Sequence, residues 1–482
     1  MVSPSDDKKR GEMGDRASEH LVVPSKQGNG FRLDPGEGRG CRVTDLLGGN
    51  MASALELDSV STKQQQIAEL AKQNPHMGFT SLRPHGAPGV DGQTIRDYNA
   101  NLPGNLRSLL ERAKSGTYRA PPVRRVHIPK GTGPETRPIG IPTFEDKILQ
   151  RAVVMVLEAV YEQDFRNCSY GFRPGRSAHQ ALDSLWRQTM GTRGGWIVEV
   201  DIRKFFDTLD HAHLRELLRR RIRDGVLLRL IGKWLNAGVL EDGNLTFPDK
   251  GSPQGGVISP LLANVYLHHV LDIWFEQEVQ PRLRGKAFLI RYADDFVMGF
   301  TCEEDARRVL EVLPKRFGKY GLTIHPDKTR LVAFQPPPES NRSGSGKGSD
   351  PGTFDLLGFT HFWGRSRKGI WVVKRRTAGS RLRRAITTIA QWCRLNRHRP
   401  VAEQHQTLGQ KLRGHFAYYG ITGNGGALHR FRDAVTHAWR KWLSRRKRGR
   451  PLSWAKITGI LERFPLPAAV VVHSVYRAAA KP

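Results

Sequence analysis

Three carboxylates stand where they could act together. Asp201 closes the run WIVEV (196–200), whose apolar residues read as a buried strand. Asp294 and Asp295 follow 93 residues later, between the strand-like runs AFLIRY (287–292) and FVMGF (296–300). A sheet that pairs these strands brings all three acids to one edge, and a strand end or tight turn holds a side chain better than a loop does. Hard divalent cations take oxygen ligands. Such a set could hold two Mg²⁺ ions about 3.5–4 Å apart, the arrangement used to transfer a nucleotidyl group in line from a triphosphate. YADD alone is a weak signal, because a solvated acidic turn has the same composition. The Gly-rich loop GSPQGG (251–256) precedes a long apolar helix. Its glycines permit close backbone approach to a nucleotide, or simply open the helix.

The elements that must position these groups follow from periodicity and turn chemistry. Strand-like stretches at 123–128 and 137–141, joined by KGTGP (130–134), predict a β-hairpin with a basic tip. Apolar spacing predicts helices from about Thr62, at 145–165, 178–190, 213–222, 226–234 and 303–320, and from the Gly-rich loop to about Phe275. Further strands are expected at 322–325, 329–334, 354–362 and 369–373, then helices near 378–395, 404–418, 427–445 and 452–463. Residues 1–55 read as a mobile extension and 335–353 as a disordered Pro/Ser/Gly insertion. No internal repeat is present.

Charge narrows the class of partner. The 482 residues suggest about three domains, and 77 Lys and Arg against 46 Asp and Glu give a formal charge of +31. Residues 361–482 alone contribute +24, with Glu403, Asp433 and Glu462 as their only acids, so one end of the chain is built to meet a polyanion. Cys41, Cys168, Cys302 and Cys393 lie far apart, against a zinc finger or a disulfide framework. No signal-like or membrane-spanning apolar run occurs, so an intracellular, cytoplasmic location and no membrane partner are expected.

An ordered set of motifs resembles the reverse transcriptases, specifically the group II intron reverse transcriptase/maturases. It runs through GAPGVDG (86–92), IPKGTGPETRPIGIPTFEDKILQRAV (128–153), CSYGFRPGRSAHQAL (168–182), VEVDIRKFFDTLDH (198–211) and GSPQGGVISPLLANVYLHHVLD (251–272). RYADDF (291–296), GLTIHPDKT (321–329), DLLGF (355–359) and LRGHFAYYG (412–420) complete it, covering about residues 80–480. The resemblance implies an α+β right-hand polymerase: fingers, a palm with an antiparallel catalytic sheet, then an α-helical thumb/maturase domain. It divides the chain into the extension 1–55, fingers and palm 56–374, thumb/maturase 375–443 and a short basic DNA-binding region 444–482.

The same resemblance assigns roles. Asp201, Asp294 and Asp295 become the catalytic acids, and with Ile202 they form the metal site for two Mg²⁺ ions. Phe206 falls at the steric-gate position beneath the sugar, or is a core Phe. Lys130 and Arg137 would grip the triphosphate of a dNTP, with RNA-backbone contact as the alternative. Gln254, Gly255 and Gly256 would approach the nucleotide, and Lys328 would either give a proton to pyrophosphate or sit in solvent. Residues 356–359 match a primer grip, although Leu and Phe on strands usually form core. Arg413, His415, Tyr418 and Tyr419 would meet RNA, by stacking and phosphate contact, or pack helices. The run of Arg445, Arg446, Lys447, Arg448 and Arg450 would track a phosphate backbone, or be a solvated linker.

The expected activity is RNA-templated DNA synthesis, with binding that helps a group II intron RNA splice and move by target-primed reverse transcription in a ribonucleoprotein. Partners are that intron RNA, an RNA template with a DNA primer, target DNA and dNTPs. The sequence ends before any endonuclease-like Cys/His pattern, so second-strand cleavage is not expected. Two rivals remain: a splicing maturase that only binds RNA, and a retron or diversity-generating reverse transcriptase. Number of subunits, DNA target and primer source are not encoded legibly.

Overall fold

The structure, a computed structural model, describes residues 86–129, 135–247, 250–251, 255–337, 352–446 and 452–474. The expected extension 1–55 and helix from Thr62 lie outside the described residues, as do 338–351 of the expected insertion. Helices α1 (Ile95–Asn99) and α2 (Leu102–Ser115) lead to the predicted hairpin, β1 (Val123–Pro129) and β2 (Thr136–Ile141). Helices α3 (Phe144–Tyr161) and α4 (Ala178–Gly191) follow, the latter opened by a reciprocal Ser177–Gln180 capping box. Strand β3 (Gly195–Val200) and the single turn α5 (Phe205–Thr208) come next. Asp210 and Asp224 then each accept two backbone N–H groups to start α6 (His211–Arg219) and α7 (Gly225–Leu235).

A short hairpin, β4 (Val239–Glu241) and β5 (Asn244–Thr246), lies where no strand is expected from sequence. Its three-residue strands carry too little alternation to be legible; β4 is recruited by parallel pairing with β1. Helix α8 (Ser259–Leu267) is buried on nearly every side and continues through π-helical turns, His268–Asp272 and Trp274–Val279. Strands β6 (Ala287–Tyr292) and β7 (Asp295–Phe300), helix α9 (Glu303–Gly318) and strand β8 (Arg330–Phe334) complete the palm. Residues 322–325 form no strand; a single bridge joins Ile324 to Ile202. The expected strand 354–362 breaks into β9 (Phe354–Leu356) and β10 (Phe359–Arg365), because Leu357 and Gly358 turn through left-handed backbone (φ 53° and 78°). Strand β11 (Trp371–Thr377) precedes α10 (Gly379–Leu395), α11 (Val401–Tyr419), α12 (Gly425–Leu443) and α13 (Trp454–Arg463).

The palm sheet has the order β6-β7-β3-β8, antiparallel throughout. Its strands read as continuous apolar runs because both faces are covered. Val198 and Val200 on β3 and Phe296, Met298 and Phe300 on β7 face the helices; Ile197, Val297, Phe288 and Ile290 face the other core, with Phe334, Phe354 and Trp363. The helical end has a core of its own around Trp439, Phe431, Leu408 and Leu412, and Ile457 of α13 and Leu466 belong to it.

Two buried polar clusters tie these layers together. Asp146 near the start of α3 is 1% exposed and accepts hydrogen bonds from the Tyr118 hydroxyl, Trp234 Nε1 (2.7 Å) and Gln150 Nε2 (3.0 Å). Burial outweighs these donors and pushes its carboxyl up to about 6.

In the second cluster, Arg291 on β6 is fully buried and forks onto Asp272, Nε to Oδ1 at 2.7 Å and Nη2 to Oδ2 at 2.5 Å. Its remaining terminal nitrogen, Nη1, donates to Asn264 Oδ1 (2.9 Å) and to the Ala293 carbonyl (3.0 Å). Asn264 Nδ2 in turn holds the Gly171 carbonyl (2.7 Å).

Each cluster makes a stability prediction. Removing one partner of a buried ion pair strands the other charge, so Asp272→Ala should cost about 3–5 kcal/mol, whereas Asp272→Leu combined with Arg291→Met should recover part of it, the Asn264 and Ala293 oxygens being left without their donor. Denaturant melts of the three proteins decide; a neutral single substitution contradicts the role given to the pair. For Asp146 the folded state favours the neutral acid. Its contribution is therefore complete below the unfolded carboxyl range and lost as pH rises through about 6. Relative to Asp146→Asn, wild-type stability should fall by about 2–3 kcal/mol between pH 4 and pH 7, and a flat difference would refute the assignment.

Candidate active site

The register of the palm sheet assembles the acids. Val200 pairs with Phe296 and Tyr292 with Asp295, so the next position beyond β3, Asp201, falls beside Asp295, and Ala293 and Asp294 form the two-residue turn. Ala293 takes a left-handed conformation (φ 59°), as tight antiparallel turns demand, and is buried. Gly171 lies against it: a Cβ there would sit 2.3 Å from the Ala293 nitrogen. Arg291 exchanges backbone hydrogen bonds with 168–170, donating to the Cys168 carbonyl (2.8 Å) and accepting from Tyr170 N (2.9 Å). The turn is thus held by the buried guanidinium from below and by the SYGF segment from the side.

Asp201 accepts a hydrogen bond from Lys328 Nζ at 3.1 Å; both side chains keep solvent exposure, which limits that pair to about 0–1 kcal/mol. Ile202 buries its side chain in the core. Arg203 N donates to Thr323 O and His325 N to Asp201 O, so the alternation of an antiparallel bridge directs the Ile202 peptide groups the other way, toward β7. Its carbonyl has no hydrogen-bond partner among the described residues.

Burial raises the Asp294 carboxyl, Arg137 and Arg291 oppose that, and Asp201 adds to it. Asp295 keeps solvent-exposed surface while protein encloses it on the other sides; that enclosure, with Asp294 and Asp201 beside it, pushes its carboxyl up to about 7. Arg137 and Arg381 pull it back. Mutual repulsion of this kind is what a divalent cation relieves. Among the described residues no three His, Cys, Asp or Glu side chains form a ready metal cage. The oxygen-only donors, their repulsion and the unpaired Ile202 carbonyl fit hard cations whose coordination substrate oxygens complete.

The flanking motifs converge on this edge. Phe206 is half-buried on α5, edge-on to the buried Phe205 (centroids 5.3 Å apart), so the helical turn points one ring into the core and leaves the other at its margin. Gly251 (φ 92°) packs on the backbone of Phe206 and Asp207, where a Cβ would meet both carbonyl oxygens within 3.0 Å. Gly255 (φ 116°) packs equally tightly on Ile139 and Gly140 of β2. The Gly-rich loop therefore bridges from Phe206 to the hairpin that bears the exposed Arg137, and Gly256, buried, accepts a hydrogen bond from Ser259 N (3.3 Å). Lys130 and Gln254 lie outside the described residues.

The helical end reaches the palm through α11. Tyr418 donates its hydroxyl to the Leu357 carbonyl (2.8 Å) and Tyr419 packs on Phe359, so both clamp the turn between β9 and β10. His415 stacks on Phe431 (3.8 Å), and burial pushes its imidazole down to about 4. Arg413 is exposed. Arg445 lies over the Trp442 ring and Arg446 donates to the carbonyls of Arg397 and Arg399; Lys447, Arg448 and Arg450 lie outside the described residues. Sequence reasoning passes over Asn264, Asp272, Arg291 and Arg381. The available signal is a charge inside an apolar run, FLIRY and NVYLHHVLD, which has to be paired if the run is buried.

Comparison with known proteins gives this geometry a family. The family model described as reverse transcriptase (RNA-dependent DNA polymerase) matches residues 128–361, all three acids included. Protein YkfC of Escherichia coli K12 is 36% identical over 306 residues, 56% of this chain and 77% of that protein. The group II intron-encoded protein LtrA of Lactococcus lactis is 40% identical over 221 residues, 44% of this chain and 37% of LtrA. The mitochondrial nuclear intron maturase 2 of Arabidopsis thaliana is 31% identical over 181 residues, 29% of this chain and 24% of the maturase. The match to LtrA and to the maturase therefore spans well under half of the length of each. No helix among the described residues is long and apolar enough to cross a membrane. Motif order, an acid-bearing antiparallel palm and these relatives together place the chain in the reverse transcriptase family, among the group II intron-encoded reverse transcriptase/maturases.

Proposed function

We propose that this RNA-directed DNA polymerase extends a DNA primer on an RNA template at Asp201, Asp294 and Asp295 with two Mg²⁺ ions, and that it binds a group II intron RNA to assist splicing and target-primed mobility. The carrying observation is the register that sets Asp201 beside Asp295 with Asp294 in the adjoining turn, and the Arg137 charge that acts on both Asp294 and Asp295. Reverse transcriptases generally use divalent metal ions. Bound by the three acids and the Ile202 carbonyl, the ions would activate the primer 3′-OH and neutralise the departing pyrophosphate.

The chain's own groups prepare that reaction. Arg137 acts electrostatically on both Asp294 and Asp295, and we assign its forked guanidinium to the triphosphate of an incoming dNTP. Lys130, Gln254 and Gly255 are assigned to the same nucleotide, with Lys328 beside Asp201. Phe206 would set its ring beneath the sugar, leaving no space for a ribose 2′-OH. Arg381 approaches Asp295 from the helical end and suits the phosphates of the primer terminus.

We assign 375–443 to thumb and maturase contacts with RNA and 444–482 to DNA, in a cytoplasmic ribonucleoprotein; α13 shares a core with α12, which supports its packing on the helical end. A maturase that only binds RNA has no use for three clustered, mutually repelling acids, which favours the polymerase reading.

Asp294→Asn keeps the side chain's size but removes charge. Extension of oligo(dT) on poly(rA) should drop by at least ~10³ with RNA affinity unchanged, and residual extension near wild type would overturn the catalytic assignment. Phe206→Val should raise incorporation of ribonucleotides relative to deoxyribonucleotides. Single-nucleotide kinetics measure the ratio; if it stays constant while dNTP use is normal, Phe206 is a core residue only.

A further inference from the structure

A second cationic site lies on another part of the molecule. Helices α6 and α7 and the loop before β1 enclose an open cleft of ≈ 580 Å³, lined by Arg119, Arg215, Arg219, Arg229, Lys233 and Asn236, with no acidic residue in its wall. Arg215 and Arg219 stand four residues apart on α6, and Arg229 and Lys233 four apart on α7. Each step of four spans about 6 Å along a helix, the scale on which phosphates succeed one another along a strand.

The nearby carboxylates are engaged elsewhere. Glu216 pairs with Arg220, Asp164 with Arg221, and Asp224 caps α7. Arg119, Arg215, Arg219 and Arg229 consequently have no hydrogen bond or ion pair among the described residues. Lys233 is used differently: it donates to the carbonyls of Gly116 (2.7 Å) and Tyr118 (2.5 Å), and Tyr118 is anchored on buried Asp146. The loop that presents Arg119 is thereby fixed. Four free guanidiniums around one cleft repel one another until an anion joins them. The chief charges acting on the three acids are Lys328, Arg137, Arg291 and Arg381, none of them in this cleft.

We propose that this cleft holds the phosphate backbone of a folded RNA away from the polymerase channel; which RNA it is rests on the intron-binding reading above. Guanidiniums bind phosphates through two parallel hydrogen bonds, and paired helical ladders in an open cleft suit a continuous strand better than a compact anion.

The test is a full-length Arg215→Gln/Arg219→Gln/Arg229→Gln protein, with Lys233 untouched so that the loop stays pinned. Wild type and variant are titrated across salt against a folded group II intron transcript, against preannealed poly(rA)/oligo(dT), and against inorganic tripolyphosphate at low salt. Three lost phosphate contacts should flatten the slope of log K against log salt by about 2 for the folded RNA, with primer extension and thermal midpoint unchanged. An unchanged RNA slope overturns the proposal. So does an equal loss on the preannealed duplex, which would put the cleft on the polymerase path, or a loss confined to tripolyphosphate, which would make it a small-anion site. If wild type shows no preference for the intron transcript over another folded RNA, the maturase reading fails instead, and the slope difference still reads the cleft.

Discussion

The buried fork between Arg291 and Asp272 is the interaction on which the catalytic edge depends. A guanidinium taken wholly out of water is tolerated only if its donors are satisfied, and here they reach Asp272, Asn264 and the Ala293 carbonyl. The last of these belongs to the turn that presents Asp294. Because Asn264 also holds Gly171, and Gly171 leaves no space for a side chain against Ala293, one polar cluster sets the position of helix α8, the SYGF segment and the acidic turn together. An apolar substitute could fill the volume but would leave the carbonyl without its donor.

That arrangement explains why the site needs contributions from such distant parts of the chain. Asp201, directly after β3, lies beside Asp295 of β7 by register, while the Gly-rich loop is seated on α5 and on β2 by two glycines whose missing side chains permit the close approach. The backbone at Phe206 and the strand that bears Arg137, far apart in sequence, become the two surfaces on which that loop is seated. The chemistry therefore rests on backbone contacts of low tolerance as much as on the charged side chains.

Much of this was legible. Palm strands bury both faces and so appear as unbroken apolar runs, and acids at the ends of such runs are conspicuous; the hairpin around 130–134 is announced by its turn residues. Pairing between elements was not legible. Arg291 and Asp272 each stand out as a charge in an apolar run, yet only tertiary structure makes them partners. Residues 322–325 have strand composition, but the sheet offers them one bridge to Ile202 and no ladder. The aromatic residues of RGHFAYYG look like stacking platforms in sequence; folded, Tyr418 and Tyr419 grip the 357–358 turn and His415 stacks inside the helical core.

Charge balance links the lobes to the palm. Three acids in partial burial repel one another; Lys328 pairs with Asp201, and the arginines that oppose the repulsion arrive from different places: Arg291 from beneath, Arg137 on the hairpin, and Arg381 on the first turn of α10. Arg291 is immobile, held by its fork. The other two ride on elements joined to the palm by backbone packing at Gly255 and by the Tyr418–Leu357 hydrogen bond. The acids are therefore compensated from the hairpin and the helical end as well as from beneath. The electrostatics of the site thus draw on the palm core, the hairpin and the helical end together, with Arg381 the arginine through which the helical end acts on Asp295.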